Sequence, residues 1–325
     1  DGNRDVSVVD FTYNRPRPND NNAPSKMSNH LNTPYFATDI ITAGGNYMTD
    51  GLGIAASSSL IYEENSMSNN QIHQDMLDYY GIHTYHAIDD PNNTYIDHID
   101  CWGKFLSPQK VLLRSVPSSH PQYDEIEEVV DYFENIPNAY GESWEVYRVY
   151  TPSNQPYTNS IILNEKVLVP IMNSSWDDEA LDVYTEAMPG YEIIGFEGSG
   201  SAPWYSEDAL HCRTKGVFDP HMIHISHKSI RTEELPGNSV IILTAEIVDY
   251  SLEDSENISV TTFWKYESDN SFSNSFVLEP NTENIYSGNF PNFNSNALIE
   301  YFITASNGMG QSVSHPNFGW HTFST

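Results

Sequence analysis

The chain has 325 residues and a formal net charge of −31, which arises from 45 acidic residues against 14 lysines and arginines. A field of this sign repels nucleic acids and anionic membranes, so neither is expected as a partner, and cationic ligands are favoured. Hydrophobic residues make up 38% of the chain, with 21 Tyr and 14 Phe, which indicates a globular protein that can hold two domains. The sequence lacks an apolar run of the roughly 18 residues that a membrane span needs.

The first elements predicted are a turn and a strand. Asp1-Gly2-Asn3 is typical of a turn, and residues 6–13 are typical of a β-strand. The chain is therefore expected to begin inside a hairpin whose first strand lies upstream. An N-terminal fragment that supplies this strand is an expected partner.

A repeated pattern of hairpin, helix and strand follows. Helices are predicted at 69–81, 118–136 (with a serine N-cap) and 175–188, and the strands that follow them at 82–88, 144–151 and 190–197. A fourth hairpin is predicted at 208–218, with no helix after it. Periods of this length indicate units that are stacked or arranged radially.

Polar residues recur where each unit opens. Asn46, His98, Asn159 and His211 are separated by 52, 61 and 52 residues. If the opening strands converge on one axis, these side chains and Cys212 share a central site.

The two cysteines are expected to differ in role. On a strand, His98 and Asp100 share a face and Cys101 points away, so Cys101 is interpreted as a small buried hydrophobic residue. Cys212 lies beside Arg213 and Lys215, which favour a thiolate, and is the predicted nucleophile. A Cys101–Cys212 disulfide is the alternative. Neither CxxC nor EF-hand spacing occurs, so no metal or cofactor is expected, apart from weak calcium binding at so acidic a surface.

Several motifs together resemble the bacterial (Porphyromonas-type) peptidylarginine deiminases, which modify guanidino groups and have the pentein fold. The motifs are "HIDCWGK", "QPYTNSIILNEKVLVP", "MPGYEIIG" and "DALHCRTK", in this order. The resemblance implies an α/β propeller of five ββαβ units around a pseudo-fivefold axis at 1–228, followed by an immunoglobulin-like domain at 229–325. Short alternating strands after residue 230 independently indicate an all-β sandwich.

The resemblance also implies a reaction. Cys212 would add to the guanidinium carbon of arginine, His98 would act as general acid and base, Asp100 would anchor the guanidinium, and Asn159 would orient the set. The products are citrulline and ammonia.

Two arginines and a tyrosine are assigned to substrate binding. Arg15 and Arg17 lie two residues apart in a proline-flanked loop and are suited to grip a carboxylate, which favours peptides that end in arginine. By resemblance, Tyr95 lines the pocket, and a second guanidinium-binding acid belongs to an upstream Trp-x-Arg-Asp segment that this sequence does not contain.

Other readings remain open at this point. The chain is alternatively a deiminase of agmatine or free arginine, or a non-catalytic scaffold that binds arginine peptides. A cysteine protease is a remote option, because no helix N-terminus or oxyanion hole is evident near Cys212. The resemblance implies a secreted or cell-surface protein.

Overall fold

The computed structural model describes residues 1–93, 96–232, 240–251, 257–293 and 296–325. The chain divides into two compact units, Asp1–Ala187 with Glu192–Val217, and Met188–Tyr191 with Phe218–Thr325. The sequence predicted a single division after residue 228, whereas the second unit begins at Phe218 and also includes Met188–Tyr191. The strand Ile223–Ser226 precedes the predicted division and pairs with Ile242–Asp249 of the second unit.

The first unit opens with two parallel strands, β1 (Val8–Tyr13) and β2 (Tyr35–Thr42). Two short helices connect them, α1 (Pro18–Asn21) and α2 (Ala23–Leu31). The strand predicted at 6–13 is confirmed, and the partner that the structure gives it is β2.

Three further sheets repeat one connection. In each, an antiparallel hairpin leads through a helix to a strand that lies parallel to the second strand of the hairpin. The sheets are β3 (Met48–Thr49), β4 (Ile54–Ser58) and β5 (Thr84–Ile88); β6 (Gly103–Ser107), β7 (Lys110–Ser115) and β8 (Glu145–Tyr150); and β9 (Ile161–Leu163), β10 (Lys166–Ile171) and β11 (Glu192–Glu197). Their helices are α3 (Leu60–Glu64) with α4 (Asn69–Tyr80), then α5 (Tyr123–Asn135), then α6 (Asp177–Ala187). The predicted ββαβ repeat is confirmed in these three units.

Local signals explain where the helices begin and end. The Ser68 side chain accepts a hydrogen bond from the Gln71 amide at the start of α4, and Gly81 ends the helix with φ +69°, a conformation that glycine adopts at little cost. The serine N-cap predicted for α5 is wrong. That helix begins at Tyr123 without a side-chain cap, because Pro121 disfavours helical backbone at His120 and leaves the serines outside.

The predicted opening strands are wrong at the polar positions. Gly44–Asn46, Ile99–Cys101 and His211–Arg213 are 3-10 turns, and Asn159 lies in a turn before β9. Each is closed by a backbone hydrogen bond between residues three apart, such as Cys101 N to His98 O at 3.1 Å. The hairpin predicted at 208–218 is likewise replaced by such a turn, so four turns, and not four strands, carry the polar residues.

The second unit is all-β over its described residues. Its strands are β12 (Ile223–Ser226), β13 (Ile242–Asp249), β14 (Ser259–Tyr266), β15 (Asn274–Thr282), β16 (Ile285–Asn289), β17 (Leu298–Ser306), β18 (Ser312–His315) and β19 (His321–Ser324). They form one hydrogen-bonded path in the order β12-β13-β16-β15-β14-β17-β18, with β19 also on β17. Alternate residues of β17, among them Ile299, Tyr301 and Ile303, are fully buried, as the period of two predicts. Across the described ranges, no helix is long and apolar enough to cross a membrane.

Candidate active site

Cys212 lies in a 3-10 turn of the first unit, among side chains from two distant parts of the sequence. Its thiol donates to Asp100 Oδ2 at 3.3 Å, and the Asn159 amide donates to its sulfur at 3.2 Å. The thiol is therefore held between a carboxylate and an amide donor.

Asn159 fixes the main chain that carries the thiol. It is fully buried, and its Oδ1 accepts the backbone N–H groups of His211 at 2.9 Å and Cys212 at 3.2 Å. A buried amide with this many partners is expensive to remove, because its loss leaves two backbone donors unsatisfied. Asn159 is thus a positioning residue for Cys212.

His98 and Asp100 meet at Gly45. A Cβ atom added to Gly45 would lie 2.8 Å from both His98 Nδ1 and Asp100 Oδ2, so these two atoms are separated by at most twice that distance. Both residues are buried, and His98 Nε2 has no hydrogen-bond partner in the described part of the chain. Asp100 Oδ2 also lies 2.8 Å from His211 Nδ1. One carboxylate oxygen therefore joins the thiol and an imidazole.

Asn46 completes this group of turns. Its Oδ1 accepts the amide N–H of Ser58 at 2.8 Å and of Ile99 at 3.3 Å, and so links the first 3-10 turn to the second. The four positions predicted to share one site are brought together.

Burial sets the protonation of the thiol and of the imidazole. Burial, followed by the negative charge of Asp100, raises the pKa of Cys212 to about 12. Burial lowers the pKa of His98, although Asp100 opposes this shift. Near neutral pH the centre therefore holds a thiol and a neutral imidazole beside a carboxylate.

We expect Asp100→Asn to make Cys212 react faster with iodoacetamide. Removal of the carboxylate charge lowers the pKa of the thiol and increases the thiolate fraction at a fixed pH below that pKa. The rate should rise roughly three- to tenfold at pH 8, since one pKa unit changes the thiolate fraction tenfold. In the parent protein the rate should increase with pH up to at least pH 10 without a plateau.

This measurement is best made in a Cys101→Ala background, so that Cys212 alone is alkylated, with peptide mapping to confirm the site. An unchanged rate in Asp100→Asn would contradict the electrostatic role given to the carboxylate.

Cys101 is a buried member of the hydrophobic core, together with Ile54, Ile99 and Trp102. Its thiol contacts Asp100 Oδ1 at 3.6 Å, and both cysteines are free thiols. The strand alternation that was expected to separate Cys101 from Asp100 does not apply, because residues 99–101 form a 3-10 turn. Burial also raises the pKa of the Cys101 thiol. Cys101 is buried, whereas Cys212 is partly exposed.

The residues assigned to substrate binding have different placements. Arg15 follows β1, and its positive charge acts on both His98 and Glu64. The Arg17 side chain is 66% exposed and lies 3.9 Å from Asp20, so it has a surface partner. Tyr95 lies outside the described residues.

Three contacts were not predicted from the sequence. His211 was expected to share the site, but not to be the partner of Asp100, which its ring contacts 111 positions away. The lack of a side chain at Gly45 is what admits His98 and Asp100. Glu64 accepts a hydrogen bond from Asn14 at 2.7 Å. For His211, its position directly before Cys212 was an available signal.

The comparison with protein families gives a match over most of the first unit. Residues 4–217 match the family described as Porphyromonas-type peptidyl-arginine deiminase. Agmatine deiminase of Medicago truncatula is 25% identical over 221 residues, which cover 56% of this chain and 58% of the relative. The chain thus spans less than two thirds of that relative.

Solved structures give the same fold. Agmatine deiminase of Enterococcus faecalis aligns with a TM-score of 0.54 at 19% identity, over 59% of this chain and 64% of its own. The agmatine deiminase of C. jejuni aligns with a TM-score of 0.53 at 20% identity, over 66% of this chain and 69% of its own. At these identities the likeness shows that the fold is shared.

Proposed function

The chain belongs to the Porphyromonas-type peptidyl-arginine deiminase family, and on this premise we propose that it hydrolyses the guanidino group of an arginine-derived substrate. The observation that carries the proposal is the Cys212 thiol, which lies 3.3 Å from Asp100 Oδ2 and 3.2 Å from Asn159 Nδ2, in the same group of turns as His98. A carboxylate to bind the cation and a thiol to attack its carbon are the two groups that this reaction requires.

The cationic substrate itself activates the thiol in this proposal. A guanidinium on Asp100 offsets the charge that raises the pKa of Cys212, and transfer of the thiol proton to the neutral His98 frees Asp100 Oδ2 to accept a guanidinium N–H. The thiolate then attacks the guanidinium carbon. The Asn159 amide, which donates to the sulfur, stabilises the thiolate charge.

His98 then returns the proton. Ammonia leaves from the tetrahedral adduct with the proton that His98 holds, and a thiouronium remains on Cys212. Neutral His98 next removes a proton from water, the oxygen adds to the same carbon, and the C–S bond breaks. The products are a ureido compound and the regenerated thiol.

The names of the relatives favour agmatine as the substrate. The Medicago, Enterococcus and C. jejuni proteins are all named agmatine deiminases. Agmatine carries no carboxylate, so its turnover does not require an arginine clamp.

Arginine with a free carboxylate, either as the amino acid or at the end of a peptide, is the second candidate. It is favoured by the positive charge of Arg15, which acts on His98. The paired grip expected of Arg15 and Arg17 stays a prediction. For this candidate we assign the carboxylate to Arg15, since Arg17 is exposed beside Asp20.

A substrate comparison separates these candidates. We expect Arg15→Gln to change kcat/KM for agmatine by no more than about threefold, through the altered pKa of His98. It should lower kcat/KM roughly 10–100-fold for arginine or a peptide ending in arginine, because a charge-assisted hydrogen bond contributes about 1.5–3 kcal/mol. Release of ammonia and of the ureido product should be measured for all three substrates and for the C-terminal amide of the peptide.

Arg17→Gln is the matched control and should leave every rate unchanged. Turnover of agmatine alone by the parent protein would reject the carboxylate substrates. No turnover of any substrate would reject the enzymatic proposal and support a scaffold that binds arginine peptides.

We also propose the finer architecture implied by the resemblance. The three ββαβ units and the β1-β2 pair would surround a pseudo-fivefold axis, and the second unit would be an immunoglobulin-like sandwich. Support comes from the repeated connection, and from β15, which pairs with β14 on one side and with β16 on the other.

A further inference from the structure

A polar cavity lies beside Cys101 in the first unit. Its volume is about 30 Å³, which exceeds the roughly 10–15 Å³ that a single water needs. Residues that line it include Arg114, Gln122, Asn154, Gln155 and Glu207. Apolar cavities of this size stay dry, whereas a polar one with a charged wall holds water or an ion.

Arg114 provides the charge. Arg114 is only 4% exposed. Its guanidinium donates three hydrogen bonds: from Nε to Thr151 Oγ1 at 3.1 Å, from Nη2 to Asn154 Oδ1 at 2.6 Å, and from Nη1 to Asn92 Oδ1. All three acceptors are neutral. A guanidinium has five N–H groups, so these bonds leave two of them for a further acceptor.

Among the described residues, no carboxylate forms an ion pair with this cation, although Asp90 acts on it and Glu207 lines the same cavity. Burial lowers the pKa of Arg114 to about 10, which still leaves the side chain positively charged at neutral pH.

Arg148 shows the contrasting arrangement. Its Nη1 and Nη2 donate to the two carboxylate oxygens of Glu127 at 3.1 and 2.6 Å, so its charge is neutralised within the protein. Arg114 has a cavity where Arg148 has a carboxylate.

We propose that this cavity binds one small monovalent anion, of the size of a halide, against the guanidinium of Arg114. A buried charge without a counter-ion is costly, and an anion in the cavity supplies both the missing charge and an acceptor for the remaining N–H groups. The cavity adjoins the Cys212 centre, because the Glu207 carbonyl accepts from the Cys212 thiol at 3.7 Å and Cys101 contacts Asp100 Oδ1. Anion binding there does not depend on the proposed reaction.

Bromide tests the site directly. Crystals soaked in sodium bromide should show an anomalous peak within hydrogen-bonding distance of the Arg114 guanidinium. The peak should be lost in Arg114→Gln and retained in Arg148→Gln. Bromide peaks at the surface with none beside Arg114, or a peak that survives in Arg114→Gln, would overturn the proposal.

A measurement in solution tests the proposal without Arg114→Gln, in case that variant fails to fold. At constant ionic strength, replacing gluconate by bromide should raise the Tm of the parent protein by about 2–4 °C, since a ligand of the native state alone stabilises it. Glu207→Gln keeps the guanidinium and removes a nearby negative charge. In this variant, the bromide concentration that gives half of the maximal Tm increase should be about threefold lower than in the parent protein. Equal Tm in bromide and gluconate, or no change in that concentration in Glu207→Gln, would contradict an anion bound here.

Discussion

Replacement of Cys212 by serine is expected to lower deiminase activity by about 10³-fold or more, on whichever guanidine the parent protein turns over. A hydroxyl has a far higher pKa than a thiol, and the surroundings that raise the pKa of Cys212 would raise that of a serine in the same way. Loss of the nucleophile removes the covalent route, so the loss should appear in kcat and not in KM. Steady-state rates of ammonia release give the comparison.

Cys101→Ala is the matched control. Cys101 also contacts Asp100, but it is buried in the hydrophobic core, and the proposed mechanism gives it no chemical role. This variant should unfold at a lower temperature and keep kcat within about threefold of the parent value. If Cys101→Ala lost activity as Cys212→Ser does, while remaining folded, the assignment of the nucleophile would be wrong.

Gly45→Ala is expected to lower kcat/KM by about 100-fold or more. A methyl group there would lie 2.8 Å from His98 Nδ1 and from Asp100 Oδ2, closer than van der Waals contact permits, so one or both side chains must move. Misplacement of reacting groups by about 1 Å costs roughly this factor. The substitution changes no charge and no hydrogen-bonding group, which makes it a test of geometry alone.

Gly44→Ala is a close control, because a Cβ at Gly44 meets no atom within 4 Å. It adds the same methyl group to the same 3-10 turn and should leave kcat/KM within about twofold of the parent value. Equal losses in the two variants would indicate that the turn itself is disturbed, and would contradict a specific contact of Gly45 with His98 and Asp100.

The repeat could be predicted from the sequence because it depends on local signals. Asp50-Gly51 and Asn164-Glu165 indicate turns, and α5 places Ile126, Val129, Val130 and Phe133 on one face at helical spacing. Each unit carries the local signals of its own hairpin, helix and strand. The same ββαβ connection could therefore be predicted separately for each of the three units.

The turns that carry the site could not be predicted in the same way. Alternating polar and apolar letters from His98 to Trp102 resemble a strand, but the backbone there closes hydrogen bonds three residues apart. Bonds from the Asn46 and Asn159 side chains to backbone amides of other turns hold this conformation. Side-chain bonds to backbone compete with strand pairing, and their distant partners are not visible in a local pattern.

The candidate residues were therefore easier to predict than their contacts. Spacing placed His98, Asn159 and His211, with Cys212 beside it, at equivalent positions of a repeat, which was sufficient to expect a shared site. The contact of His211 with Asp100 depends on how two turns meet, and neither residue type indicates the other as its partner.

The central claim is that Cys212 forms a covalent thiouronium with the substrate. Intact-protein mass spectrometry of the parent protein, quenched with acid during the first turnovers at saturating substrate, tests it most directly, because acid protonates the base that hydrolysis of the adduct requires. We expect a mass increase equal to the substrate minus ammonia, mapped to the peptide that contains Cys212, and none in Cys212→Ser. Turnover by the parent protein with no adduct on Cys212, or an adduct that persists in Cys212→Ser, would contradict the claim.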